Sequence, residues 1–257
     1  MPIRTSQEDR QLSEPGTKTL HRQTVADNAN GRSLPKIGTA NHTSPGLNAP
    51  ENGSGSCHSG KSAGINLDEA RQFIRALFGS HDTLVCHPIR DKAWSEHHNL
   101  PPARNQPRWA DAADDDELTE VLEWAADLNA PATGGSCVFF GVNVRKGHGQ
   151  HGNAGVARAN AHAADFDGNV SVEQALAAIN AAGLPEPSIV VMSGGGCHTY
   201  WLLADPEEDL ETWRFRQRWI AAAVGSDASV KDPNRLLRFP GFWNRKFKYA
   251  ANPPMAR

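Results

Sequence analysis

The residues best suited to do chemistry are Asp165 and Asp167, in the run HAADFD that closes an apolar stretch. Side chains alternate along a strand, so these two carboxylates share one face while Phe166 takes the other. Carboxylates that close repel each other unless a cation lies between them. Hard oxygen ligands suit Mg²⁺ or Mn²⁺, ions that typically bridge protein carboxylates and substrate phosphates. Asp167-Gly168 is also good turn chemistry, so this strand end taken alone is a moderate signal.

Two later segments add to it. In SGGGCHTYWLL (193–203), Ser193 precedes three consecutive glycines, Gly194, Gly195 and Gly196. Such a run costs conformational entropy, and it lets backbone approach a ligand or form an anion-binding nest. His198 follows, on the strand face of Tyr200 and Leu202; a flexible hairpin with a satisfied histidine is the plainer reading of the same residues. In SDASVKDPNRLLRFPGFWNRK (226–246), Asp227 and Asp232 precede Arg235, Arg238 and Lys246. Acids and bases so mixed can hold a metal and the phosphates around it. Leu236, Leu237 and Phe239 make the bases flank a buried strand, which argues against a merely solvated charge run.

Two conspicuous patterns carry less. GSCHSGKS (55–62) fits GxxxxGK[ST], but SPGLNAPENGS before it cannot be the buried strand such a phosphate loop needs. GHGQHG (147–152) fits GxGxxG without a recognisable βαβ unit, so a loop is expected there, with His148 and His151 in solvent.

The elements that must position these residues follow from periodicity. Residues 1–64 hold no Phe, Trp or Tyr and are rich in Ser, Thr, Asn, Gly and Pro. They cannot bury enough apolar surface to offset ordering, so a disordered tail or linker is expected, followed by one catalytic domain over 65–257. Asn66 should cap a helix with Glu69 at its third position and Gly79 past its end. A second helix is expected over 115–128, from Leu118, Val121, Leu122, Ala125 and Leu128. Residues 81–110 show no clear period. Strands are expected at 137–144, 161–167, 188–192 (buried), 197–203 and 236–239, the third and fourth forming a hairpin. Helices are expected from Ser171, through a capping box with Gln174, to Ala182 with Gly183 as its stop, and over 207–224. That order suits an α+β domain with one sheet.

Composition sets outer limits. With 39% hydrophobic and 21% charged residues the chain reads as soluble and globular, and no apolar run could span a bilayer. The N-terminus has no apolar signal core, so cytoplasmic location and no membrane partner are expected. Four dispersed cysteines form no CxxC pair, against a disulfide scaffold or zinc ribbon. Net charge is -3, yet bases gather late, at Arg214, Arg216, Arg218, Arg245 and Lys248 among others.

Together the three motifs, over about residues 137–246, resemble the archaeo-eukaryotic primase superfamily, in particular the primase-polymerase domains of phage and plasmid replication proteins. The matching residues are Asp165 and Asp167; Ser193, Gly194, Gly196, His198, Tyr200 and Trp201; then Asp227 or Asp232 ahead of Arg235, Arg238, Pro240, Gly241, Asn244 and Lys246. The resemblance implies an RRM-like antiparallel or mixed sheet with flanking helices, and two Mg²⁺ or Mn²⁺ ions on Asp165, Asp167 and a third acid. Asp227 fits the family's spacing better than Asp232. It implies His198 at the phosphates of an incoming NTP or dNTP, with Ser193, Gly194–Gly196, Arg235, Arg238 and Lys246 around the nucleotide. A single-stranded DNA template would run along Arg214, Arg216, Arg218, Arg245 and Lys248, and a replicative helicase domain or protein is an expected partner. Two other readings use the same residues: a catalytically silent single-stranded-DNA-binding initiation module, and a metal-dependent nuclease.

Overall fold

The computed structural model describes residues 64–97, 99, 106–130, 135–249 and 251–257. The expected tail and the GSCHSGKS run lie outside the described residues, apart from Gly64. The described chain is an α+β arrangement of five α-helices and an eight-stranded sheet in which every registered strand pair is antiparallel.

Its organising feature is one ribbon with a break. β1 (Thr83–Arg90) takes β2 (Arg108–Asp111) on one edge. On the other edge lie β3 (Ser136–Gly141) and β4 (Val144–Arg145), one after the other. The sequence predicts a single strand here. The structure inserts a bulge at Val142 and Asn143, whose groups turn away to the Arg235 carbonyl (3.1 Å) and the Pro233 carbonyl (3.0 Å). Beyond the break, the free edge of this ribbon is shared. β4 pairs with β5 (Val156–Asp167), and β3 pairs with β8 (Leu236–Arg238). Two strands therefore leave one neighbour in the same direction and fork, and the fork holds the site.

β5 continues into a second half of the sheet with β7 (Gly196–Glu207) and β6 (Ile189–Met192). The sheet curls until rings from opposite halves meet. Phe140 of β3 and Tyr200 of β7 lie 6.4 Å apart, and Phe73 stands edge-on to both at 5.0 and 5.4 Å. Phe73 comes from α1 (Leu67–Leu77), whose Asn66 cap accepts from the Glu69 N–H as its sequence predicts. Gly79 lies just past its end, as expected, after an extended Phe78 cap, and its N–H goes to Asp82. α3 (Asp115–Asn129) joins the same core through Leu118, Val121, Leu122 and Ala125.

The opposite face of β5 and β7 is covered by α4 (Val172–Ala181) and α5 (Leu210–Val224), over Ala164, Phe166, Cys197 and Trp201. α4 has the expected Ser171–Gln174 capping box, and Gly183 follows in a left-handed conformation (φ 70°). α5 starts three residues later than expected, because Glu207 still belongs to β7 and the Asp209 carboxylate caps the Glu211 and Thr212 N–H groups. β6 is an edge strand with only Val191 buried, not the buried strand expected; Met192 on its outer edge exchanges backbone bonds with Arg257. The featureless stretch 81–110 holds β1, β2 and a short helix α2 (Lys92–His97).

Candidate metal centre and nucleotide cleft

β5 delivers Asp165 and Asp167 to the face turned away from α4 and α5, while Phe166 packs into the core beneath those helices. In the adjacent strand, His198 pairs with Asp165 and Gly196 with Asp167. The third carboxylate comes from the turn after α5. The Asp227 N–H donates to the Asp165 carbonyl at 2.9 Å, tying that turn to the end of β5. Asp227 then caps a short 3-10 turn (Ala228–Lys231) through the Ser229 N–H and hydroxyl. Ligand atoms of Asp165, Asp167 and Asp227 all lie within 4.8 Å of one another. Asp232 is not among them; it accepts from the Asn234 N–H and its carbonyl takes the Arg235 N–H.

The carboxylates differ in their electrostatics. Burial, and then the Asp167 charge, raise the Asp165 carboxyl to about 6, against the pull of Arg235. Asp227 behaves oppositely: burial raises it, but Ser229 and Arg235 outweigh that and hold it below the ordinary carboxylate range. Arg235 reaches Asp227 at 2.8 Å and Asp165 at 4.0 Å. The Asp165 Oδ1 atom is buried without a hydrogen-bond donor. A divalent cation would satisfy this atom and remove the repulsion, so the donor set fits a hard metal ion.

His198 is buried, 3.4 Å by its Nε2 from Asp165 Oδ1, with its Nδ1 3.4 Å from the Tyr200 hydroxyl. Burial, with Arg238 and Arg235, pushes its pKa down to about 3, so the imidazole is neutral and this contact is no ion pair. Its Nε2 lies against the Asp165 carboxylate.

That cleft, of about 260 Å³, opens beside Asp167 and is lined by Ser193, Gly195, Arg238, Lys246, Lys248 and Tyr249 among others. Arg238 is buried over the Phe139 ring (5.1 Å), with Nε and Nη1 lacking hydrogen-bond acceptors. A buried guanidinium short of acceptors is a ready clamp for an anion. The three glycines have separate reasons. Gly196 has φ 150°, and a Cβ there would strike the Phe166 carbonyl across the strand pair. Gly194 has φ 74° in the turn. A Cβ on Gly195 would lie 2.9 Å from the Tyr249 hydroxyl. Buried Asn244 holds the turn by donating to the Gly194 carbonyl at 3.1 Å.

The bases expected to contact DNA lie in different places. Arg245 is buried, its Nε donates to the Asn129 carbonyl at 2.8 Å, and its guanidinium lies near the Trp243 ring. Arg214, Arg216 and Arg218 lie on α5, across the sheet from the carboxylates; Arg214 pairs with Glu211 and Arg216 with Glu207. Lys248 lines the cleft itself, above the Tyr249 ring. His148 is half exposed and near Glu117, as expected for a loop. Tyr249 was not foreseen, since nothing local in the sequence brings it to Gly195.

Residues 155–255 match the family model of the RepB DNA-primase N-terminal domain. No curated protein matches the sequence. Among solved structures, the AEP domain of the cyanophage S-2L primase-polymerase is similar, with a TM-score of 0.55 at 17% identity, over 76% of this chain and 89% of that one. The primase RepB′ gives a TM-score of 0.51 at 18% identity; the match takes in 73% of this chain and 55% of that one.

Proposed function

We propose that this chain, whose residues 155–255 match the RepB DNA-primase family model and whose fold is like that of a primase-polymerase domain, is a DNA primase-polymerase, adding NTP or dNTP units to a primer 3′-hydroxyl on a single-stranded DNA template. The observation that carries this reading is the meeting of Asp165, Asp167 and Asp227 beside a cleft lined by Arg238, Lys246 and Lys248.

Asp165, Asp167 and Asp227 would hold two Mg²⁺ or Mn²⁺ ions. Bound there, such ions supply Lewis acidity that lowers the pKa of the attacking hydroxyl and offsets charge at the phosphate. The protein's own residues do the positioning. Arg235 holds Asp227 against Asp165. Neutral His198 packs against Asp165 and fixes its side chain. Arg238 and Lys246, with Ser193 and the N–H groups of the glycine turn, bind the triphosphate and orient it toward Asp167, and Lys248 at the same cleft takes the template backbone. Arg238 brings its unpaired N–H groups to that task without prior reorganisation. Residues 65–257 serve as the catalytic domain in this reading.

The test is synthesis on single-stranded DNA with labelled NTPs or dNTPs and Mg²⁺ or Mn²⁺. Wild type should make and extend primers, and Asp165→Ala or Asp167→Ala should not, while remaining folded. Retained synthesis in both variants would remove the metal reading. DNA binding without synthesis would point to a silent initiation module, and degradation of DNA with Mn²⁺ alone to a nuclease.

A further inference from the structure

α5 has an outer surface that the carboxylate site does not use. Phe215 and Trp219 stand on it 70% and 56% exposed, more than any other large hydrophobic among the described residues. Residues four apart on a helix are neighbours on one face, so the two rings form a single patch. Two adjacent aromatic side chains left in water mark a contact surface more than a scattered apolar residue does.

The patch has basic surroundings. Arg218 lies beside Trp219 and forms no ion pair among the described residues. With exposed Lys231 it lines a hollow of about 300 Å³ that also takes in Ala222, Gly225 and Ser226. The Ser226 Oγ is buried there without a hydrogen-bond partner. This hollow is built on the same turn that carries Asp227, so the surface joins the proposed metal centre around the end of the sheet. Arg214 and Arg216 flank Phe215 in surface pairs with Glu211 and Glu207, and pairs of this kind contribute little and yield readily.

We propose that this face of α5 is a second contact for single-stranded DNA, with bases stacked on Phe215 and Trp219 and phosphates held by Arg218 and Lys231. The proposal rests on the reading of the chain as an enzyme that uses a single-stranded template. Stacking rings interleaved with fixed cations are the two components of sequence-tolerant single-strand binding. An apolar protein surface would cover the rings but leave Arg218 and Lys231 without counter-charge; a polyanion with aromatic faces matches both.

The experiment uses the full chain, without nucleotide or divalent metal, and a single-stranded oligonucleotide carrying iododeoxyuridine. Irradiation should give adducts that peptide mass spectrometry locates at Trp219 or Phe215. Replacing both rings by leucine (Phe215→Leu with Trp219→Leu) should weaken binding by about tenfold or more, whereas Phe215→Tyr with Trp219→Phe, which keeps both rings, should bind nearly as wild type. Absence of adducts on α5, or unchanged affinity in the leucine variant, overturns the proposal. So does self-association of wild type that the leucine variant loses while binding DNA normally, because the patch would then belong to a protein contact. Asp165→Ala separates this from the catalytic reading: it should lose synthesis and keep the α5 adducts. Adducts in a wild-type protein that never synthesises would sink the catalytic reading and leave this one standing.

Discussion

Replacing Asp165 by asparagine should make the metal-free protein more stable while ending the proposed nucleotide incorporation. The carboxyl is displaced from 3.8 to about 6, first by burial and then by the Asp167 charge. Its side chain is only 10% exposed, so solvent screening takes little from this effect. Between pH 3.8 and about 6 the folded protein keeps a proton that the unfolded chain has released. Stability from this group is therefore full below that window, falls as pH rises through it, and is flat above it. The displacement corresponds to about 3 kcal/mol at neutral pH. Asparagine has the same shape and no charge, so Asp165→Asn should recover up to about 3 kcal/mol at pH 8. For a domain of this size that is roughly 6–12 °C in Tm. At pH 4 the wild-type carboxyl is neutral and the advantage should nearly vanish. The assay is thermal or urea unfolding of both proteins in chelator at the two pH values. Mn²⁺ should then stabilise the wild type by about 2.7 kcal/mol at a hundredfold excess over Kd, raising its Tm, and leave the variant almost unmoved. The reasoning fails if the variant is the less stable protein at pH 8 in chelator, or if its advantage is unchanged at pH 4.

Other consequences follow from single contacts. Asp227→Asn should abolish nucleotide incorporation and Asp232→Asn should largely spare it, because Asp227 alone of the two stands with Asp165 and Asp167; equal losses in a primer-extension assay would contradict the geometry. Arg238→Lys keeps the charge but loses the planar fork, and nucleotide affinity should fall by about 1.5–3 kcal/mol, or roughly 10- to 150-fold, by equilibrium titration. Gly196→Ala should lower Tm sharply, because a Cβ there meets the Phe166 carbonyl, whereas at Gly195 the obstacle is the end of the Tyr249 side chain. Arg245→Met should cost about 1–3 kcal/mol of stability from its lost bond to Asn129 and leave the salt dependence of DNA binding unchanged. Lys248→Ala, at the cleft, should instead flatten that salt dependence.

How much of this was legible in the chain depended on how far apart the interacting residues lie. Alternation over residues 161–167 was enough to set Asp165 and Asp167 on one face. The Ser171–Gln174 spacing was enough to start α4, and the glycines between 192 and 197 to turn a hairpin, because each is a short-range property of a few neighbouring side chains. Spacing favoured Asp227 over Asp232, but what brings it to the other two carboxylates is the backbone bond from its N–H to the Asp165 carbonyl, 62 positions earlier in the chain. Arg245 looks like any exposed base in sequence; Asn129 and Trp243 bury it. Tyr249 reaches Gly195, and His198 reaches Asp165, through strand register and chain crossings that no local pattern encodes. The sequence by itself thus determined the chemical inventory and the facing of the first two carboxylates. The tertiary structure decided which later aspartate stands with them and which bases face the cleft, because the fork between β5 and β8 exists only where two distant strands leave the same ribbon.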